Sequence, residues 1–232
     1  MAKSNSSRAP FTRLGATGPV VLPSLLLCDF AALGSEIRRL EEAGAEALHL
    51  DVMDGQFVPN FTYGLTVVEA TRKVTELPLE AHLMIVTPER IVDRFVDAGA
   101  DHLTVHIEAT REPRSLLEQI RRRGATAGIA LNPRTPLEVI EDCLDVCDSA
   151  LVMSVEPGFG GQAFEPEALE KLKALRKARG ADFRLSVDGG VNDQTISACA
   201  AAGANWFVVG SAIFKRPHYG DSIARLTRLA RV

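Results

Sequence analysis

Gly44-Ala45-Glu46-Ala47-Leu48-His49-Leu50-Asp51-Val52-Met53-Asp54-Gly55 holds one junction of the unit from which the chain is built. A Gly-Ala pair closes a helix-like segment, an apolar run follows to residue 52, and polar residues end it. The same pair recurs at Gly99-Ala100, Gly124-Ala125, Gly180-Ala181 and Gly203-Ala204, each time between a helix-period segment and an apolar run. Glycine is expected there because a left-handed helix C-terminal cap carries no penalty without a Cβ. Equal spacing of such junctions by one or two units marks a chain that repeats a single βα element.

Working outward, apolar and largely β-branched runs at about 20–26, 47–52, 79–84, 102–106, 126–131, 149–155, 183–187 and 206–209 predict eight buried strands. Helix-period segments at 33–42, 66–75, 88–96, 114–122, 166–178, 195–201 and 219–231 alternate with them. With no break in composition, this predicts an α/β protein with a single (β/α)8 TIM barrel as its catalytic domain over residues 20–232. A doubly wound open sheet is the competing architecture, but it concentrates polar residues at one switch point. Here Ser24, Asp51, His82, His106, Asn132, Met153, Asp188 and Gly210 spread over nearly every strand end. Residues 1–19, with Lys3, Arg8 and Arg13 but no acid and no periodicity, are expected to form a disordered N-terminal extension.

Composition excludes several function classes. A net charge of -4 offers no basic surplus for a phosphate backbone, so no nucleic-acid partner is expected. No apolar run approaches the ~20 residues that span a bilayer, and no charged-then-apolar leader is visible, so the expectation is a cytoplasmic protein without a membrane partner. Cys28, Cys143, Cys147 and Cys199 are too scattered for a disulfide framework and read as reduced thiols. Cys143 and Cys147 have the spacing of half a zinc site, but no second Cys/His pair follows, which favours one helical face of small buried residues.

His49 and Asp51 are two apart on an extended strand, so their side chains leave the same face. His82 and Asp188 each end another apolar run. Two imidazoles and two carboxylates suit one divalent ion of the Zn, Fe, Mn or Co type, with a coordination position left for substrate oxygens, and argue against a calcium site. If strands two and seven face each other across the barrel mouth, Asp51 and Asp188 can remove and return a proton on opposite sides of one carbon. A carboxylate is a weak base for a proton beside a ketone, so an ion stabilising the enediolate oxygens completes the chemistry. His102 lies at a strand start and reads as structural; His106, followed by Glu108, touches substrate or holds the mouth together; His218 is assigned nothing.

Strand six ends in Val155-Glu156-Pro157-Gly158-Phe159-Gly160-Gly161-Gln162, a loop open enough to approach an anion or to swing as a lid. With Gly189-Gly190 after strand seven and Gly210-Ser211 after strand eight, it gives the expected barrel phosphate site, with Ser211–Phe214 as a short extra helix. Met53, Met84 and Met153 all fall at strand ends, as adaptable core or as an apolar lining around the reacting carbons.

The segments His49-Leu50-Asp51-Val52-Met53-Asp54-Gly55, His82-Leu83-Met84, Pro157-Gly158-Phe159-Gly160-Gly161-Gln162 and Val187-Asp188-Gly189-Gly190 together resemble the ribulose-phosphate 3-epimerase family. So do Pro23-Ser24, Ala130-Leu131-Asn132-Pro133 and Val209-Gly210-Ser211-Ala212-Ile213-Phe214, and the likeness runs from about Val20 to the C-terminus. The resemblance implies that His49, Asp51, His82 and Asp188 bind a divalent metal and that Asp51 and Asp188 are the catalytic acid and base. It further implies that Ser24 and His82 contact the sugar, and that Gly158, Phe159, Gly160, Gly161, Gly189, Gly190, Gly210 and Ser211 hold its phosphate end. The implied reaction interconverts D-ribulose 5-phosphate and D-xylulose 5-phosphate at C3 in the pentose phosphate pathway, in a homo-oligomer that is a dimer or a larger even-numbered assembly. A D-allulose 6-phosphate epimerase would carry the same motifs. A phosphosugar lyase on a similar barrel pairs the strand-two aspartate with a lysine two positions on, where this chain has Met53; a silent scaffold barrel has no need of Asp188.

Overall fold

A computed structural model describes residues 18–231 together with Phe11 and Leu14. Eight strands run β1 Val20–Pro23, β2 Leu48–Met53, β3 Leu79–Met84, β4 His102–His106, β5 Thr126–Leu131, β6 Ser149–Met153, β7 Arg184–Asp188 and β8 Trp206–Val209. The helices are α1 Leu33–Glu42, α2 Leu65–Val74, α3 Val92–Asp97, α4 Pro113–Arg122, α5 Ala168–Arg179, α6 Ile196–Ala201, α7 Ser211–Phe214 and α8 Tyr219–Leu229. Every ladder is parallel, in the order β1-β8-β7-β6-β5-β4-β3-β2, and a single parallel bridge between Ser24 and His49 joins β1 to β2 and completes the ring. The expected (β/α)8 barrel is therefore the observed one.

The five Gly-Ala junctions behave as the sequence requires: Gly44, Gly99, Gly124, Gly180 and Gly203 all have positive φ. β1 ends at Pro23 rather than near 26, because the Ser24 hydroxyl accepts the Leu26 N–H and turns the chain into a 3-10 segment at Leu25–Leu27. The acidic stretch around Cys143 is likewise a 3-10 segment, Leu137–Cys143, and not an α-helix. Its two thiols are free and buried, each donating to a carbonyl three residues back, as small core side chains do.

Alternation along each strand sends one face outward to the helices and one into the barrel. Leu50, Val52, Leu83, Val105 and Val187 join the outer core with Leu40, Val68, Leu117 and Leu172 of the helices. The interior is divided. Val20, Leu22, Ala130, Leu151, Trp206 and Val208 form an apolar half, while His49, Glu80, His82, His102, Thr104 and His106 from β2, β3 and β4 fill the rest, all essentially buried. Gly128 makes room for that polar half, since a Cβ there would lie 2.6 Å from Ser149 Oγ and 2.7 Å from both His102 Nε2 and Thr104 Oγ1.

The floor of the barrel is closed by Phe11, only 3% exposed, which stacks on His102 with ring centres 4.6 Å apart and meets Trp206 edge-on at 4.9 Å. The expected disordered extension lies largely outside the described residues; within it, the Phe11 ring sits in an apolar socket. His102 is structural, as its place at a strand start suggested, with Nδ1 paired to Thr126 Oγ1 at 2.7 Å and Nε2 to Ser149 Oγ at 2.9 Å. Among the described residues no helix is long and apolar enough to cross a membrane.

Candidate active site and metal centre

Strand register assembles the site. Ser24 bridges to His49, Asp51 lies opposite His82, and Met153 lies opposite Asp188. β2 and β7 are separated in the ring by β1 and β8, so Asp51 and Asp188 approach from different sides of the mouth. His49, Asp51, His82 and Asp188 each direct one ligand atom inward, all within 4.8 Å of one another. His49 Nε2 is 3.2 Å from Asp51 Oδ1, and His82 Nδ1 is 3.5 Å from the same oxygen and 3.8 Å from Asp188 Oδ2.

The outward-facing ring nitrogens are already engaged. His49 Nδ1 pairs with Glu80 Oε2 at 2.9 Å, and Glu80 Oε1 accepts the Thr104 hydroxyl at 2.6 Å. His82 Nε2 pairs with His106 Nε2 at 2.8 Å. His82 Nδ1, by contrast, is buried without a hydrogen-bond partner. An orphaned buried polar atom costs about 1–3 kcal/mol, and a cation at the centre of this set removes that cost. Two nitrogens and two carboxylate oxygens converging from three strands, one nitrogen unsatisfied and the other backed by a carboxylate, fit a divalent ion.

In the protein alone, the two aspartates are driven apart. Burial raises Asp51, but the charge and hydrogen bond of His49, with His82 behind it, outweigh burial and hold its carboxyl well below the usual range. Asp188 is raised by burial and then by the negative charge of Asp51, to about 7. Burial lowers His49, yet Asp51 and Glu80 carry it well above the ordinary imidazole value. Burial also raises Glu80, but the His49 charge prevails and brings it to about 2. His82 is lowered, chiefly by burial. Opposed environments for two carboxylates in one site separate a base from an acid.

Above the cluster opens a cleft lined by Ser24, both aspartates, Met53, Met84 and Met153, and by Gly158, Phe159, Gly160, Gly161, Gly189, Gly190, Gly210 and Ser211. Every anticipated methionine and glycine thus borders the same space, while His49 and His82 lie beneath its floor, fully buried. Ser24 donates to Asp51 Oδ2 at 2.6 Å. The glycine-rich loop is folded on itself, Gln162 donating to the Glu156 and Phe159 carbonyls, and Asn60 donates to the Gly158 carbonyl at 2.6 Å. Gly190 has φ +60°, and a Cβ on it would lie 2.5 Å from the Phe164 nitrogen, so only glycine lets these loops meet.

Sequence reading missed Glu80, although its signal was present: a carboxylate two residues before His82 in an apolar run shares that histidine's face. It also missed Tyr63 and Thr62, which fix the end of β2: the Asp51 N–H donates to the Tyr63 hydroxyl at 3.0 Å, and the Thr62 hydroxyl donates to the Asp51 carbonyl at 2.6 Å. Both lie in an irregular loop, where nothing in a local pattern announces a long-range bond.

Residues 20–214 match the model of the ribulose-phosphate 3 epimerase family. Ribulose-phosphate 3-epimerase of Synechocystis sp. is 50% identical over 210 residues, covering 88% of this chain and 91% of that one. Ribulose-phosphate 3-epimerase of Bacillus subtilis is 48% identical, covering 89% and 97%. Among solved structures, 3-hexulose-6-phosphate synthase of Salmonella typhimurium superposes with a TM-score of 0.68 at 16% identity, covering 91% of this chain and 98% of that one, a likeness of fold alone. Fold, assembled site and close relatives lead to one conclusion: the chain belongs to the ribulose-phosphate 3-epimerase family of enzymes.

Proposed function

We propose that this enzyme interconverts D-ribulose 5-phosphate and D-xylulose 5-phosphate by moving the C3 proton between two carboxylates. The observation that carries the reading is the pair of aspartates: Asp51 and Asp188 face one cleft from different strands, with ligand atoms of His49 and His82 within 4.8 Å of theirs. Asp51 takes the proton from one face of the carbon, and Asp188 supplies one to the other face; in the reverse direction the roles exchange. Ser24 holds Asp51 in place. Met53, Met84 and Met153, nearly buried beside the reacting position, exclude water and so strengthen the local electrostatics. Gly158, Gly160, Gly161, Gly189, Gly190, Gly210 and Ser211 border one continuous rim where a phosphate meets backbone rather than side chains.

His49, Asp51, His82 and Asp188 would hold one divalent ion, Zn, Fe, Mn or Co, which when bound supplies Lewis-acid stabilisation to the two oxygens of the enediolate. A homo-oligomeric state, dimeric or larger and even-numbered, belongs to the same proposal; Phe61, 74% exposed, and the exposed Val86 offer apolar surface for it, and light scattering on the purified protein measures it.

Exchange of the C3 hydrogen with deuterated solvent tests the reaction, run side by side on D-ribulose 5-phosphate and D-allulose 6-phosphate. Rapid exchange and epimerisation of the five-carbon sugar is expected. Preference for the six-carbon sugar would reassign the substrate, and no exchange with either would overturn the reaction class.

A further inference from the structure

His106 and Glu108 lie outside the cleft and its four ligand groups, yet they are joined to His82 by an unbroken line of hydrogen bonds. Glu108 Oε1 accepts the Asn132 N–H at 2.8 Å and the Thr135 hydroxyl, which fixes the carboxylate on the loop after β5. Lys171 of α5 holds that loop by donating to the carbonyls of Asn132, Pro133 and Thr135 at 2.9, 2.7 and 2.7 Å. The other oxygen, Glu108 Oε2, is 3.2 Å from His106 Nδ1. His106 Nε2 is in turn 2.8 Å from His82 Nε2, with the two ring planes only 19° apart and their centres 5.0 Å apart. Nitrogens so much closer than the ring centres mean that the imidazoles meet edge to edge, in hydrogen-bond geometry and not face to face.

With both rings neutral, as burial favours, proton placement along this line has one consistent solution. A carboxylate accepts only, so His106 Nδ1 carries a hydrogen. A neutral imidazole has one N–H, so His106 Nε2 is an acceptor. Two ring nitrogens at 2.8 Å need one hydrogen between them, so His82 Nε2 supplies it. His82 Nδ1 is left with its lone pair, and that is the nitrogen without a partner, aimed between Asp51 and Asp188. We propose that Glu108 and His106 are positioning residues that dictate the tautomer of His82, so that Nδ1 faces the cluster as a ready metal ligand. This resolves the two sequence readings of His106: it touches no substrate, and it orders the site from behind. The inference rests on the metal reading above only for its purpose; the tautomer itself is a property of the protein.

An isosteric change isolates the effect. In Glu108→Gln the backbone N–H of Asn132 still demands an acceptor, so the amide oxygen takes that position and the amide NH2 turns to His106 Nδ1. Every step of the line then reverses, and His82 acquires its hydrogen on Nδ1. The test is long-range proton–nitrogen correlation of the ring nitrogens in 15N-histidine-labelled apoprotein, together with the dissociation constant for Zn2+ or Mn2+ from competition with a chromophoric chelator. The wild type should show His82 protonated at Nε2, and Glu108→Gln should show Nδ1 protonation and bind the ion about 10–100-fold more weakly, with an unchanged circular dichroism spectrum. Nδ1 protonation of His82 in the wild type would overturn the proposal without any variant. So would a folded Glu108→Gln protein with the wild-type tautomer and affinity. Wild-type protein with the expected tautomer but no affinity for either ion would uphold the line of hydrogen bonds and refute the metal reading alone.

Discussion

Replacing Phe11 by alanine should loosen the whole barrel from below while leaving its chemistry intact. The ring is buried in the apolar half of the interior, stacked on His102 and set edge-on to Trp206. Truncating a buried phenylalanine costs about 3–5 kcal/mol, and each aromatic pair adds ~0.5–1.5 kcal/mol of that beyond area burial. Because the ring closes the floor, water can enter the space it leaves, which places the loss near the lower bound, about 3 kcal/mol. For a domain of this size that corresponds to a fall of roughly 6–12 °C in the unfolding midpoint. Differential scanning calorimetry measures it, and kcat and KM taken well below the transition should stay at wild-type values, since Phe11 lies at the opposite end of the barrel from the cleft. Deleting residues 1–17 removes the same ring and should lower the midpoint at least as far. A truncated protein as stable as the full chain would refute the reasoning that Phe11 seals the floor.

Three further substitutions probe the interior and the cleft rim. Gly128→Ala places a Cβ against Ser149, His102 and Thr104 at 2.6–2.7 Å, and overpacking of this kind should cost about 1–3 kcal/mol in urea unfolding. Glu80→Leu deprives His49 Nδ1 of its partner and should weaken Zn2+ or Mn2+ binding about 10–100-fold by chelator competition. Gly190→Ala drives a Cβ into the Phe164 backbone at a positive φ, so it should raise KM for the phosphosugar far more than for a dephosphorylated analogue. Exhaustive chelation should abolish turnover of the wild type, and a divalent ion should restore it; full activity of verified metal-free protein would remove the ion from the reaction.

How much of this was legible in the sequence depended on whether the signal was local. Strand positions followed from apolar runs, and the junctions followed from glycines that must take positive φ. The clustering of His49, Asp51, His82 and Asp188 was readable because parallel pairing places strand C-termini at one mouth, so three strand ends imply one site. Glu80 needed one further step, counting back two residues from His82 along the inward face. Phe11 carried no signal, being a single aromatic residue in a segment without periodicity, and the two rings it packs on, His102 and Trp206, are some 90 and 195 positions away. The 3-10 geometry at Leu137–Cys143 was hidden for a related reason: its buried residues, Ile140 and Cys143, fit an α-helical face equally well. The tautomer of His82 depends on Glu108, Asn132 and Thr135 together, a relation that only the assembled loops display.

The central claim is that Asp51 and Asp188 work on opposite faces of one carbon. The most direct measurement follows C3 hydrogen exchange in deuterated solvent for each epimer separately, in Asp51→Asn and in Asp188→Asn. Net interconversion should fall by at least ~100-fold in both variants, with any residual exchange confined to one epimer in the first and to the other epimer in the second. Near wild-type interconversion by either variant, or exchange of the same epimer by both, would contradict it.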